Sequence, residues 1–196
     1  ILKREGWGQA VSMDDADLIL FNTCTVRQHA EDRVLGRITA EARRKADKPH
    51  LKIGVLGCVA QRLGEQLIEA HPIIDLVVGT DQYLQLPRML SMLDSWGVRT
   101  SVEENPSQTY FDAHPLRGGR FCGFVTIMRG CDNWCSYCIV PHVRGRERSR
   151  IPDDIVMETH HAGQQGFKDI TLLGQNVNSY HYDEVGFPEL LARVNR

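Results

Sequence analysis

Three cysteines, Cys131, Cys135 and Cys138, fall at C-x3-C-x2-C within the run Met128-Arg-Gly-Cys131-Asp-Asn-Trp-Cys135-Ser-Tyr-Cys138-Ile-Val-Pro141. Thiolates at that spacing on one short loop can hold three corners of an iron–sulfur cube and leave the fourth iron without a protein ligand. An iron left open in this way can chelate a small molecule. The alternative is a closed tetrahedral zinc site from Cys131, Cys135, Cys138 and His142, which would be structural and offer no open position. The run follows an apolar segment, and a glycine precedes its first cysteine. That context fits a loop at the mouth of a β/α barrel better than a zinc site. Tyr137 stands just before the last cysteine, where a tyrosine by itself usually only packs.

Cys24 and Cys58 make a second constellation, in Asn22-Thr-Cys24 and Gly57-Cys58, each immediately after an expected parallel strand. Ligands of open parallel sheets gather beyond those carboxyl ends, so two cysteines there suggest a second metal site. Free cysteines are equally often small buried hydrophobes, and both readings stay open. Cys122, flanked by Phe121 and Phe124 inside an expected strand, reads as a core residue. From Arg129 to Arg150 five arginines face only Asp132 and Glu147, a local excess of positive charge. Arg144, Arg146, Arg148 and Arg150 could hold phosphates, stack on bases or clamp the carboxylate of a bound cofactor. For any single one of them a solvated turn is the simpler reading. Gly174, Gln175 and Asn176 open a polar loop after another expected strand. Their backbone and amide groups could meet the polar edges of a cofactor or base, or serve only as a turn.

The elements that must position these residues alternate. Leu18–Asn22, Leu51–Leu56 and Asp75–Gly79 are short apolar runs that read as strands. Between them, helical spacing runs from Arg27 to Asp47 (Ala30, Val34, Ile38, Ala42) and from Gln61 to Ala70. A further helix from Tyr83 to Leu93 places Leu86, Leu90 and Leu93 on one face. This order predicts a parallel sheet covered by helices, a Rossmann-like α/β domain over residues 1–98. Residues 99–118 lack periodicity and read as a linker. Residues 119–196 predict a strand at Phe121–Met128, a helix opened by Pro152 with Asp153 and Asp154, and a strand at Asp169–Leu173. A last helix starts near Pro188. These are the first β/α units of a barrel, too few to close one.

With 196 residues, 42% of them hydrophobic and 24% charged, the composition is that of a globular protein with a substantial core. The net charge of −2 excludes binding nucleic acid by bulk electrostatics, so any such contact must be local. No apolar run reaches a membrane span and no signal pattern opens the chain. Six clustered cysteines without a secretion signal therefore point to metal or redox work in a reducing cytoplasm.

Together these stretches resemble the radical S-adenosylmethionine (radical-SAM) methylthiotransferases. The matching segments are Asn22-Thr-Cys-Thr-Val-Arg27, Gly57-Cys-Val-Ala-Gln-Arg62, Gly130 to Pro141 with Arg144-Gly-Arg-Glu147, and Leu172 to Tyr180. The version Gly174-Gln-Asn-Val-Asn-Ser-Tyr180 is similar to the tRNA branch, which acts on N6-isopentenyladenosine next to the anticodon. The resemblance implies two four-iron clusters: a radical cluster on Cys131, Cys135 and Cys138, and an auxiliary cluster with Cys24 and Cys58 as two of three ligands. The family's third ligand would lie upstream of Ile1. On this reading the chain is a fragment that starts inside the first β-α unit, stops inside the radical-SAM partial TIM barrel, and is inactive alone.

The resemblance also places Tyr137, Gly174, Gln175 and Asn176 near bound S-adenosylmethionine, and the four arginines against RNA or its carboxylate. It implies a tRNA anticodon loop as substrate and an electron donor as partner. In the family, one S-adenosylmethionine methylates a sulfur at the auxiliary cluster, and the radical from a second enables transfer to C2 of the adenine. Two rivals stand beside it: a methylthiotransferase acting on a ribosomal-protein aspartate, and a zinc-stabilised RNA-binding module.

Overall fold

The computed structural model describes residues 1–25, 28–97, 99–110 and 121–195. Val26 and Arg27 of the first motif, residues 111–118 of the expected linker, and residues 119 and 120 of the expected barrel part lie outside them. The chain divides into two compact units, one of Ile1–Asn105 with Tyr137–Val143, the other of Pro106–Ser136 with Arg144–Arg196.

The first unit is a parallel sheet in the order β1-β2-β3-β4, from β1 (Leu18–Thr23), β2 (Lys52–Gly57), β3 (Leu76–Val78) and β4 (Arg99–Ser101). The Leu-Val-Val of β3 is wholly buried, as a strand covered on both faces requires. One face carries Val55 and Val77 against Ile38, Val59, Ala60 and Leu67. The other carries Leu76 and Val78 against Leu86, Met89, Leu90 and Leu93 of α5 (Leu86–Trp96), which recur at helical spacing. Each such buried side chain contributes roughly 1.5–3 kcal/mol.

Two expected helices are each split. The first is α1 (Gln28–Ala40) and α2 (Ala42–Asp47), parted where the Glu41 amide bonds to Ile38 O and tightens the turn. Glu41 is buried there and ion-paired with Arg44. The second is α3 (Cys58–Leu63) and α4 (Gln66–Ala70), parted at Gly64. The helical run starts three residues before the expected Gln61, at Cys58 itself. Strand β4 was not expected: Arg-Thr-Ser carries no apolar signal, and it becomes a strand by pairing with the open edge of β3.

In the second unit β5 (Cys122–Thr126) and β8 (Asp169–Leu173) pair in parallel, joined through α7 (Pro152–Gln164). The expected strand Phe121–Met128 breaks at Ile127. Its end, β6 (Met128–Arg129), pairs antiparallel with β7 (Arg148–Ser149). After β8 come a hairpin of β9 (His181–Tyr182) and β10 (Val185–Gly186), then α8 (Phe187–Val194). The core joins Val125, Ile127, Met128, Ile155, Tyr180, Val185 and Leu190. Cys122 is not in it. With Phe124 (58% exposed) it occupies the open face of β5, since alternate residues of a strand point to opposite faces. The remaining short helix, α6, spans Val140–Arg144. No helix among the described residues is long and apolar enough to cross a membrane.

Candidate metal and cofactor sites

In the first unit the register pairs Thr23 with Gly57, so Cys24 and Cys58 each follow the last paired residue of neighbouring strands at one carboxyl edge. Thirty-four positions of sequence separate them, and the parallel register alone brings them to that edge. Thr23 ties the two strand ends. Its buried hydroxyl donates to Leu56 O (2.6 Å) and accepts from the amide of Val59 (3.1 Å), one of the helix-start donors that no helical carbonyl can satisfy. Gly57 has φ 94°, and a Cβ there would sit 2.5 Å from Thr23 O. Only glycine permits this approach. Cys58 is buried as the first residue of α3, whereas Cys24 is exposed. Beyond β3, the Gln61 side chain accepts from the Thr80 amide (3.0 Å) and donates to Val102 O (2.6 Å), closing the edge. Thr80 Oγ1 donates to Val143 O (2.8 Å), holding the segment that carries half-buried Cys138 and exposed His142 and Tyr137.

In the second unit the carboxyl ends of β5 and β8 lie side by side, Thr126 opposite Leu173. Gly174-Gln175-Asn176 leaves β8 directly, and the cysteine loop follows β5 after Ile127 and β6. Gly130 has φ 73°, and a Cβ on it would fall on the carbonyl oxygen of Arg146, so the loop can enter only through glycine. Cys131 follows, buried, its amide bonding to Gly145 O (3.3 Å). Cys135 is exposed.

The arginines separate by burial. Arg146 is exposed and holds the Asp132 carboxylate through Nε (2.7 Å) and Nη2 (3.1 Å), and the Glu147 amide adds a third bond (3.0 Å). Those bonds, Arg146 first, hold the Asp132 carboxyl below the usual carboxylate range and push the Arg146 guanidinium up. Arg148 is half-buried and donates to Arg144 O (2.7 Å). Arg144 is half-buried, and its guanidinium has no hydrogen-bond partner among the described residues. Arg150 is turned inward, donating to Thr126 O (2.6 Å) and pairing with Glu158 (2.8 Å), so its charge serves the fold. Sequence alternation could not separate it from its neighbours, because its burial depends on α7 supplying Glu158.

Gly174 lies against the Met128 side chain. The Gln175 Oε1 is buried with no hydrogen-bond partner, an acceptor waiting for a donor. Two residues to which the sequence assigns no role of their own lace this region: Glu147, whose carboxylate accepts from Ser179 Oγ (2.6 Å), and Ser149, whose hydroxyl accepts from the His181 amide (3.1 Å). Their signal was proximity to the arginines and, for Glu147, its place in Arg144-Gly-Arg-Glu147.

All six cysteines are free. Among the described residues no three His, Cys, Asp or Glu converge on a single ion position, so a preformed zinc tetrahedron is not present. A cube of four irons keeps its ligand sulfurs farther apart than one ion does. Three free thiols at C-x3-C-x2-C after a glycine-pinned turn are a donor set whose chemistry fits such a cluster.

The Uncharacterized protein family UPF0004 matches residues 1–79, and the Radical SAM superfamily matches residues 125–195. The chain is 46% identical over 200 residues to the tRNA-2-methylthio-N(6)-dimethylallyladenosine synthase of Parabacteroides distasonis, covering 99% of this chain and 44% of that protein. The enzymes of that name from Porphyromonas gingivalis (45% identity, 99% of this chain, 44% of theirs) and Dictyoglomus thermophilum (40%, 100%, 45%) are similar over the same span. The chain thus spans under half the length of the curated relatives it matches.

Proposed function

Because the chain belongs to the radical-SAM methylthiotransferase family, we propose that its protein transfers a methylthio group to C2 of N6-isopentenyladenosine in tRNA. The observation that supports this most is that the segment leading to Cys131 and the loop Gly174-Gln175-Asn176 follow the same carboxyl end of β5 and β8, with Gly174 against Met128, in a chain alignable over nearly its whole length with tRNA-methylthiolating relatives.

Residues 1–98 then form the methylthiotransferase domain, 99–118 the connection and 119–196 the barrel part. Cys131, Cys135 and Cys138 would hold the radical cluster, and Cys24 and Cys58 would ligate an auxiliary one. When bound, these groups supply one-electron cleavage of S-adenosylmethionine and the sulfur to be transferred. The chain's own part is to bind, orient and shield. Gly130 and the Asp132–Arg146 pair fix the backbone from which Cys131 departs. Gln175 Oε1 can accept from an N–H of the nucleotide, with Gly174 and Asn176 beside it in the chain, and Tyr137 would contribute from the cysteine run. The buried layer of Ile127, Met128 and Tyr180 keeps water from beneath. A C2–H carbon is neither acidic nor electrophilic enough for polar chemistry, which is why the reaction calls for a radical. The base must also leave its stack, which a single-stranded anticodon loop allows cheaply. Arg144, whose guanidinium has no partner among the described residues, is the best placed of the four arginines for RNA phosphate, and Arg146 and Arg148 flank it in sequence. The reaction also calls for an electron donor as partner.

Anaerobic reconstitution of the full-length protein with iron and sulfide, followed by assay on isolated tRNA and on ribosomal protein, tests this. The expected result is methylthiolated tRNA, with Cys135→Ala abolishing S-adenosylmethionine cleavage while the first unit stays folded by circular dichroism. Continued 5′-deoxyadenosine formation by that variant, or product only on ribosomal protein, would overturn it.

A further inference from the structure

We propose that Glu147 is a positioning residue that couples the cysteine loop to the Gly174–Ser179 loop, so that one node sets both halves of the cofactor site. The proposal rests on the function proposed above. Glu147 faces both ways. Its backbone amide donates to Asp132 (3.0 Å), the residue after Cys131. Its carboxylate accepts from Ser179 (2.6 Å), the last residue of the turn that begins at Asn176.

Ser179 has a single hydroxyl proton and two acceptors in range, Glu147 Oε2 and Asn176 O (2.8 Å). The shorter, charge-assisted bond takes it. Without the carboxylate, that proton turns to Asn176 O and the link between the loops is lost. The neighbouring bonds work in the same sense. Arg146 grips Asp132 from the same short segment, and its carbonyl lies where Gly130 must pass. One residue beyond β7's start, Ser149 accepts from His181, and Tyr180 donates to Arg150 O (2.7 Å). Residues 145–150 are thus a brace between two loops 40-odd positions apart, and Glu147 is bonded to both. Glutamine at this position keeps an acceptor oxygen and the amide, whereas alanine keeps only the amide.

The test uses the full-length, anaerobically reconstituted protein with Glu147→Ala, Glu147→Gln, Ser179→Ala and the Glu147→Ala/Ser179→Ala double variant. S-adenosylmethionine affinity is read by equilibrium dialysis, iron by direct analysis, and the reduced cluster by EPR with and without S-adenosylmethionine. Each alanine variant should bind S-adenosylmethionine about tenfold more weakly at unchanged iron content. The double variant should be no worse than the weaker single, and Glu147→Gln, whose neutral oxygen competes less well for the hydroxyl proton, should fall between Glu147→Ala and wild type. Additive losses in the double variant, wild-type affinity in Glu147→Ala, or binding lost in step with iron would overturn the coupling. Amide exchange on the cofactor-free protein reads the same link independently. Ser179→Ala should speed exchange at Glu147 and Cys131, and unchanged exchange there would overturn the proposal even if the wild type never took up iron. Failure of the wild type to take up iron or respond to S-adenosylmethionine would instead count against the proposed function.

Discussion

Replacing Thr23 by valine keeps the shape of the side chain and removes only its hydroxyl, which makes it the sharpest probe of the edge carrying Cys24 and Cys58. Two bonds disappear, the 2.6 Å donation to Leu56 O and the 3.1 Å bond from the Val59 amide. Leu56 O loses one donor, a net change of about 1 kcal/mol. The Val59 amide fares worse. It belongs to a fully buried residue in the first turn of α3, where no helical carbonyl can replace the hydroxyl. Leaving such a donor unmet costs about 1–3 kcal/mol. The added methyl returns up to about 0.8 kcal/mol. The sum is a loss of about 2 kcal/mol. Thr23→Ser makes the opposite change, deleting the methyl and keeping both bonds, for about 1 kcal/mol. Amide exchange at Val59 separates these cases, because 1.4 kcal/mol is tenfold in an opening equilibrium. Thr23→Val should lower Val59 protection about thirtyfold, and Thr23→Ser should leave it nearly intact relative to the rest of the unit. Protection within twofold of wild type in Thr23→Val, or a larger loss in Thr23→Ser, would refute the reasoning.

The Arg150–Glu158 pair is nearly buried, with side-chain exposures of 7% and 15%. Glu158→Leu alone should therefore cost about 3–5 kcal/mol in urea unfolding of the second unit, while Arg150→Met with Glu158→Leu recovers most of it. Equal stabilities of single and double variants would contradict this. Burial pushes the Tyr180 phenol up to about 12 from an ordinary 10.0, against the pull of the Arg193 and Arg150 charges. The unfolded chain releases this proton first, so the contribution of Tyr180 is complete below pH 10 and declines as the pH rises toward about 12. Tyrosinate absorbance should show one late-titrating tyrosine, absent in Tyr180→Phe.

The candidate radical-cluster loop was legible from sequence because all its parts are local: three thiols, a glycine and the preceding apolar strand lie within a dozen residues. Strands β1, β2 and β3 and helix α5 were legible for a similar reason, since their apolar spacing is their own. The misses are tertiary. Arg99–Ser101 carries no strand signal and is recruited by the free edge of β3. Cys122 sits between aromatics that suggest a core, yet its strand turns it, with Phe124, to the open face. The split helices at Glu41 and Gly64 keep the apolar period across a backbone break, and periodicity does not register a break.

The sequence alone determined which chemistry the chain can carry, because the spacing of donors on a contiguous loop survives whatever the rest of the chain does. Which residues meet was decided only in three dimensions. The register of Thr23 with Gly57 brings Cys24 and Cys58 to one edge, and the parallel pairing of β5 with β8 sets Met128, three residues before Cys131, against Gly174. The packing of α7 turns Arg150 from a candidate ligand contact into a structural cation. Contacts between distant segments depend on register and burial. Those follow from the balance of packing across the whole unit rather than from any local pattern.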